Sequence, residues 1–404
     1  MKNNAIWWII GIVIVVGLGY LIFNQPNKTN DKKSESVATA PVAPKVVESS
    51  EVTIGWIGPL TGDAAAYGIP LQKATMLAAE EINAAGGVGG KKLVVAYEDG
   101  NCDGKGGAAA AQKLISINKV QIIIGGTCSG ETLGFTPIAN ENKVVVFSPS
   151  ASSPDLTTKG GDYAFRFYPS DALAGKVAAS YAMDTFKAKK AAVITANTDY
   201  AQGLHRVFVE SFKNAGGEVT VDESYNSGTT DFRTQALKIK NAKVDVVYIV
   251  VQLPTEGIAL VKALKDQKIV APLLTAEILI GREIAKNNKD VLEGVIGFEA
   301  FFDEKAEGAA KFTAAFKAKY NEDLAFPFMQ TIAYSEGYLF KEMIEKYGND
   351  GVKIQAALAK LTDWSGGGLK NMTLDENGDV VWKSFSIKKI TNGDVPSIGV
   401  FDMK

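Results

Sequence analysis

Short apolar runs alternate with amphipathic stretches along most of this chain. Residues 52–57, 93–97, 121–124, 144–147, 192–195, 219–224 and 244–250 are strand-length runs rich in Val, Ile and aromatic side chains. Between them, residues 71–83, 108–117, 172–186, 204–214 and 232–240 repeat their apolar positions at helical spacing. Apolar strands that alternate with helices predict parallel sheets covered on both faces. The series pauses near residues 167–171 and begins again, which predicts two similar α/β lobes. After residue 300 the rhythm changes. Residues 306–320 and 330–347 read as consecutive helices, and Asp375-Glu376-Asn377-Gly378 is the turn signal of a hairpin-like segment.

The first fifty residues follow none of these patterns. Residues 5–23 are a 19-residue apolar run without charge, a length that spans a bilayer. The only tidy small-x-small site, Ala38-Thr39-Ala40, lies far downstream, and no cysteine follows the run to accept a lipid. These features predict an uncleaved signal anchor, a transmembrane helix over residues 1–23. Residues 24–50, rich in Lys, Ser, Thr, Pro and Ala, read as a flexible linker with a reach on the order of 30 Å. Lys28, Lys32 and Lys33 follow the span and compete with Lys2 in setting its orientation.

With 404 residues, 46% of them hydrophobic, the chain has ample material for two cores. The first fifty residues hold five Lys and three acids, leaving 38 basic and 42 acidic residues for the rest. That balance gives no footprint for nucleic acid. A single histidine, His205, and two cysteines leave little room for a His-based metal site or triad. Gly126-Thr127-Cys128-Ser129-Gly130 sits between a strand and a helix, as a nucleophile elbow would, but no base accompanies it. The glycine run before Lys91 lacks the Ser or Thr of a phosphate loop and ends a helix instead of opening one. Neither an enzyme nor a bound cofactor is expected.

What remains is a set of polar groups at the carboxyl ends of strands, where open α/β sheets place ligands. Ser129 starts a helix after the strand at 121–124, and free N–H groups at a helix start suit a carboxylate. Residues 147–154, Phe-Ser-Pro-Ser-Ala-Ser-Ser-Pro, form a hydroxyl-rich turn after the next strand. Taken alone, that cluster reads equally well as a helix cap or loop. Glu277, after the apolar Leu273-Leu274-Thr275-Ala276, reads on its own as a solvated surface acid sooner than as a ligand-binding one. Cys102 and Cys128 stand either as a disulfide or as two buried thiols.

Residues 80–103, EEINAAGGVGGKKLVVAYEDGNCD, join a helix end, a Gly86-Gly87 cap, a strand and a cysteine. In this segment, the cysteine pair, the serine cluster and Glu277, the chain from about Glu51 to its end resembles the Leu/Ile/Val-binding proteins of ABC transporters. The resemblance implies the type I periplasmic-binding fold: two Rossmann-like lobes with parallel central sheets, joined by a three-segment hinge. The first lobe would comprise residues 51–169 and 301–380, the second 170–300 and 381–404. It further implies a Cys102–Cys128 disulfide. Ser129, the backbone of Ser150 and the side chain of Ser152 would hold the carboxylate of an amino acid, and Glu277 its ammonium. Tyr67, Tyr200 and Phe328 would wall the ligand, and Gln252 stands where the Leu/Ile/Val binders carry an aromatic residue. The partners implied are a separate ABC permease and its ATPase, and the location is a single-pass membrane protein with its binding domain outside the cytoplasm. Two alternatives keep the scaffold: an amide, urea or small organic acid as ligand, or a tethered ligand sensor.

Overall fold

We describe residues 50–403 in a computed structural model of the protein. The expected span over residues 1–23 and nearly all of the linker lie outside the described residues. Among the described residues no helix is long and apolar enough to cross a membrane.

The apolar runs form two central sheets. In the first, β1 (Glu51–Gly58), β2 (Lys92–Asp99), β3 (Ile122–Gly125), β4 (Val145–Ser148) and β5 (Ala164–Arg166) pair in parallel in the order β2-β1-β3-β4-β5. In the second, β6 (Lys190–Ala196), β7 (Glu218–Tyr225), β8 (Val246–Val250), β9 (Leu273–Ala276) and β10 (Ile296–Ala300) are parallel in the order β10-β9-β8-β6-β7. A small antiparallel pair, β11 (Trp364–Gly366) and β12 (Leu369–Met372), stands apart. The antiparallel strands β13 (Ser384–Lys389) and β14 (Ser397–Asp402) then extend the second sheet beyond β10. Every residue of β3, β4, β8 and β9 is buried, as strands covered on both faces require.

The chain passes from the first sheet to the second between Arg166 and Lys190. After β10 it returns, because helix Pro327–Tyr347 packs along helix Ala65–Ala84 beside the first sheet. It crosses again before Ser384.

Several helices begin earlier than their apolar periodicity predicts, because their first turns are set by caps and prolines. Asp103 caps helix Gly104–Ser116 through the Gly106 N–H at 2.8 Å. Thr198 caps helix Asp199–Asn214 through Ala201 N–H at 3.3 Å. Pro327 occupies the first turn of helix Pro327–Tyr347, where its missing N–H costs nothing. Helix Ala65–Ala84 runs through Pro70 and passes so close to Pro59 that a Cβ on Gly68 would lie 1.8 Å from its carbonyl oxygen.

A binding cleft at the strand ends

Each polar residue singled out at a strand end projects from the carboxyl edge of one of the two sheets, and the two edges face one another. On the first side, Gly125 turns the chain out of β3 with φ +115°, where a Cβ would come within 2.2 Å of the Ile57 carbonyl oxygen. The turn delivers Thr127 and Cys128 to the start of helix Ser129–Glu141. Cys128 is disulfide-bonded to Cys102, which follows β2, with the Cα atoms 5.1 Å apart. Beneath the disulfide the fully buried Glu131 accepts the N–H groups of Thr127 at 2.8 Å and Cys102 at 3.2 Å. Burial pushes the Glu131 carboxyl up to about 7, against the pull of those N–H donors. The first intrahelical bond runs from Thr132 N–H to the Cys128 carbonyl. As in any helix start, the N–H groups of Ser129 and Gly130 are left facing outward from the first turn.

The serine turn after β4 is tied down at almost every residue. Ser148 Oγ donates to the Gly126 carbonyl at 2.7 Å and accepts Ala151 N–H at 2.8 Å. Ser150 Oγ donates to the Thr127 carbonyl at 2.9 Å, while Ser129 Oγ accepts Ser153 N–H at 3.1 Å. Arg166, only 2% exposed, holds the turn from behind. Its Nη1 donates to the carbonyls of Ala151 (3.1 Å) and Ser153 (2.9 Å), and Nε and Nη2 form a two-pronged pair with Asp379 at 2.6 and 2.9 Å.

From the second sheet come Tyr200, which follows β6, Gln252, which follows β8, and Glu277, which follows β9. Tyr200 donates its hydroxyl to Glu277 Oε1 at 3.0 Å. Glu277 is 5% exposed, and no ion pair among the described residues includes it. Burial pushes its carboxyl up to about 7, and the Glu299 charge adds to the rise against the Tyr200 hydrogen bond. Asp171, also buried, is pushed up by burial and by the Glu277 charge, while Ser152 and Arg166 pull the other way. Contacts across the cleft hold the lobes together: Tyr67 hydroxyl to Gln252 carbonyl (3.0 Å), Ser153 Oγ to Asp199 carbonyl (3.1 Å), and Arg206 to Asp155 (2.6 Å).

These groups line a small cavity of about 30 Å³. Six residues singled out from sequence line this cavity together: Tyr67, Ser129, Ser150, Tyr200, Gln252 and Glu277. Two stand elsewhere. Ser152 lies outside the lining, and its hydroxyl donates to Asp171 Oδ2 at 2.8 Å instead of facing the cleft. The Ser150 N–H, expected to serve a ligand, approaches Ser148 Oγ at 3.3 Å. Phe328 packs on Phe302 and Trp382, with ring centroids 4.9 and 5.0 Å away, in a neighbouring cavity that shares Glu277. Phe326 and Met329 take the wall position, along with Ile278, Thr127 and Cys128. The Ala-Phe-Pro-Phe-Met sequence at the helix start signals an aromatic wall, but the register set by Pro327 decides which ring turns inward.

The family model described as Periplasmic binding protein matches residues 51–392. The chain belongs to that family. Among its relatives, the Leu/Ile/Val-binding protein BraC3 of Rhizobium johnstonii is 30% identical over 372 residues, 89% of this chain and 96% of that protein. The leucine-, isoleucine-, valine-, threonine- and alanine-binding protein of Pseudomonas aeruginosa is 31% identical over 354 residues, 87% and 93% of the two chains. Among solved structures, the leucine-binding protein LivK of Thermotoga maritima superposes with TM-score 0.79 at 27% identity, covering 87% of this chain and 99% of that one. A solute-binding protein of R. palustris in complex with benzoate reaches TM-score 0.78 at 19% identity, covering 87% and 97%, a likeness of fold alone. This periplasmic binding protein is thus a Leu/Ile/Val-binding-protein-like substrate-binding protein, of a family that binds small molecules for ABC transporters and is not enzymatic.

Proposed function

We propose that this protein captures a free L-amino acid between its lobes by hinge closure and delivers it to a separate ABC permease. The observation that carries the reading is Glu277: a buried carboxylate on a cavity wall, partnered by a phenol and by no cation among the described residues. A buried anion in that position calls for a cation, and a ligand ammonium supplies one. The same cavity is lined by Ser129, at the start of a 13-residue helix, and by Ser150, a setting that suits an anion. A zwitterionic amino acid is the simplest small molecule with both charges. In this reading Ser129 and the serine turn hold the carboxylate, with Ser152 bracing the turn through Asp171, and Glu277 and Tyr200 hold the ammonium. Tyr67, Phe326 and Met329 wall the side chain, with Phe328 behind them. The first lobe comprises residues 51–169 and 301–380, the second 170–300 and 381–404, and hinge segments join them.

The proposed location is outside the cytoplasm, on a single-pass anchor formed by residues 5–23. Its support is the apolar run itself, the membership of a periplasmic family, and a disulfide that persists in oxidising compartments. Thermal-shift screening of the purified protein against amino acids, amides and small acids tests the ligand class. Stabilisation by amino acids is expected, and stabilisation only by ligands without an amino group replaces this reading with an amide or organic-acid binder.

A further inference from the structure

Gln252, on the cavity wall, has side-chain polar atoms that are nearly unused, and Thr127 Oγ1 on the same wall also lacks a hydrogen-bond partner among the described residues. Gln252 lies two residues beyond the end of β8, and its backbone carbonyl accepts the Tyr67 hydroxyl at 3.0 Å. The residue is 8% exposed and lines the cavity. A carboxamide offers two donors and an acceptor with two lone pairs. Here the amide nitrogen has one contact, the disulfide sulfur of Cys128 at 3.9 Å, and the amide oxygen has no hydrogen-bond partner among the described residues. Sulfur is a weak acceptor, and 3.9 Å is at the limit of such a contact.

The same cavity is lined by Ile278, Phe326, Met329 and Tyr67, together with Thr127. A ligand side chain that fills the space therefore meets a partly apolar wall on which Gln252 carries an under-used carboxamide. A purely aliphatic side chain covers that amide and leaves its donors and acceptor without water or partner, which works against binding. A hydroxyl or carboxamide on the ligand restores the missing bonds. An acidic side chain would add a third buried carboxylate near Glu277 and Asp171, and a basic one would compete with the ligand's own ammonium for Glu277.

Resting on the amino-acid reading above, we propose that Gln252 makes this protein selective for amino acids whose uncharged side chain carries a hydroxyl or a carboxamide. Isosteric pairs isolate the effect, since threonine and valine, or asparagine and leucine, differ in hydrogen bonding more than in shape. Calorimetry on the full-length protein should find threonine and asparagine bound about tenfold more tightly than valine and leucine, as a site built to hydrogen-bond its ligand discriminates. In Gln252→Leu and in the more nearly isosteric Gln252→Met, that preference should vanish or invert while amino-acid binding persists. Valine and leucine bound as tightly as their polar partners by the parent protein would overturn the proposal, as would an unchanged ranking in both variants. Loss of all binding in Gln252→Leu with retention in Gln252→Met leaves the decision to the ranking measured in Gln252→Met. If no amino acid binds the parent at all, the amino-acid reading itself has failed, and the selectivity assigned to Gln252 is refuted with it.

Discussion

Replacing Arg166 by Met keeps most of the side chain's volume and removes both guanidinium hydrogen bonds to the serine turn. Five hydrogen bonds disappear: two to Asp379, one each to the Ala151 and Ser153 carbonyls, and one from Nη2 to Thr157 Oγ1 at 2.8 Å. The guanidinium is 2% exposed and the Asp379 side chain 13%, so the carboxylate left behind recovers little solvation from water. Thr157 still donates to Asp379 at 2.6 Å, which offsets part of the loss. Breaking a buried pair from one side costs about 3 to 5 kcal/mol, and two carbonyls of the turn lose their donors as well. Urea unfolding of Arg166→Met, Asp379→Asn and the double variant measures both the cost and the coupling. The double variant should be destabilised by less than the two single effects combined, because the remaining charge is gone. The same single variant should bind ligand more weakly, since Ala151 and Ser153 flank the turn that carries Ser150 and Ser152. An Arg166→Met protein within about 1 kcal/mol of the parent, with no coupling to Asp379, would refute this account of how the turn is held.

Glu277 and Glu131 both titrate near 7 in the folded protein, against an ordinary value of 4.5. The folded state therefore holds more protons than the unfolded state between about pH 4.5 and 7, and stability from these groups falls as pH rises through that window. Glu277→Gln should gain stability relative to the parent between pH 5 and 7.5 in the absence of ligand, and a difference that does not change with pH speaks against the buried carboxylate. Binding of an ammonium to ionised Glu277 should strengthen over the same interval and release protons, as calorimetry in buffers of different ionisation enthalpy would register. Removing the disulfide in Cys102→Ala/Cys128→Ala opens a link between residues 26 apart in sequence, with an expected loss of about 3 kcal/mol in urea unfolding. The native protein should fractionate with membranes and keep residues 5–23, whereas an N-terminal sequence beginning near Pro41 would show a removed signal.

The central strands were legible because parallel strands buried on both faces must be continuous apolar runs, as Ile122–Gly125 and Val246–Val250 are. The three-residue β5 and the edge strand β14, with four of its six positions exposed, carry too little pattern to read. Helix starts were misplaced where a proline or a polar cap, with no apolar repeat, sets the first turn, as at Pro327 and Asp103. Strand-end placement of polar residues and the family resemblance together gave eight candidates, of which six line one cavity. Ser152 shows the limit of that reasoning, since a hydroxyl's direction depends on its partner, Asp171, 19 positions away. Arg166 was missed for a related reason: its partner Asp379 lies 213 residues on, and no local periodicity links them. Phe328 was assigned by the family resemblance, whereas Phe326 and Met329 line the cavity and Phe328 lines its neighbour.

The most direct test of the proposed function is calorimetric titration of the parent protein and Glu277→Ala with the amino acid that binds the parent best. Glu277→Ala leaves the ligand's ammonium buried without its carboxylate, so affinity should fall by about 2 to 5 kcal/mol while the protein stays folded. Equal affinity in the two proteins, or tight binding only of ligands that lack an amino group, would contradict the assignment of Glu277 as the ammonium site.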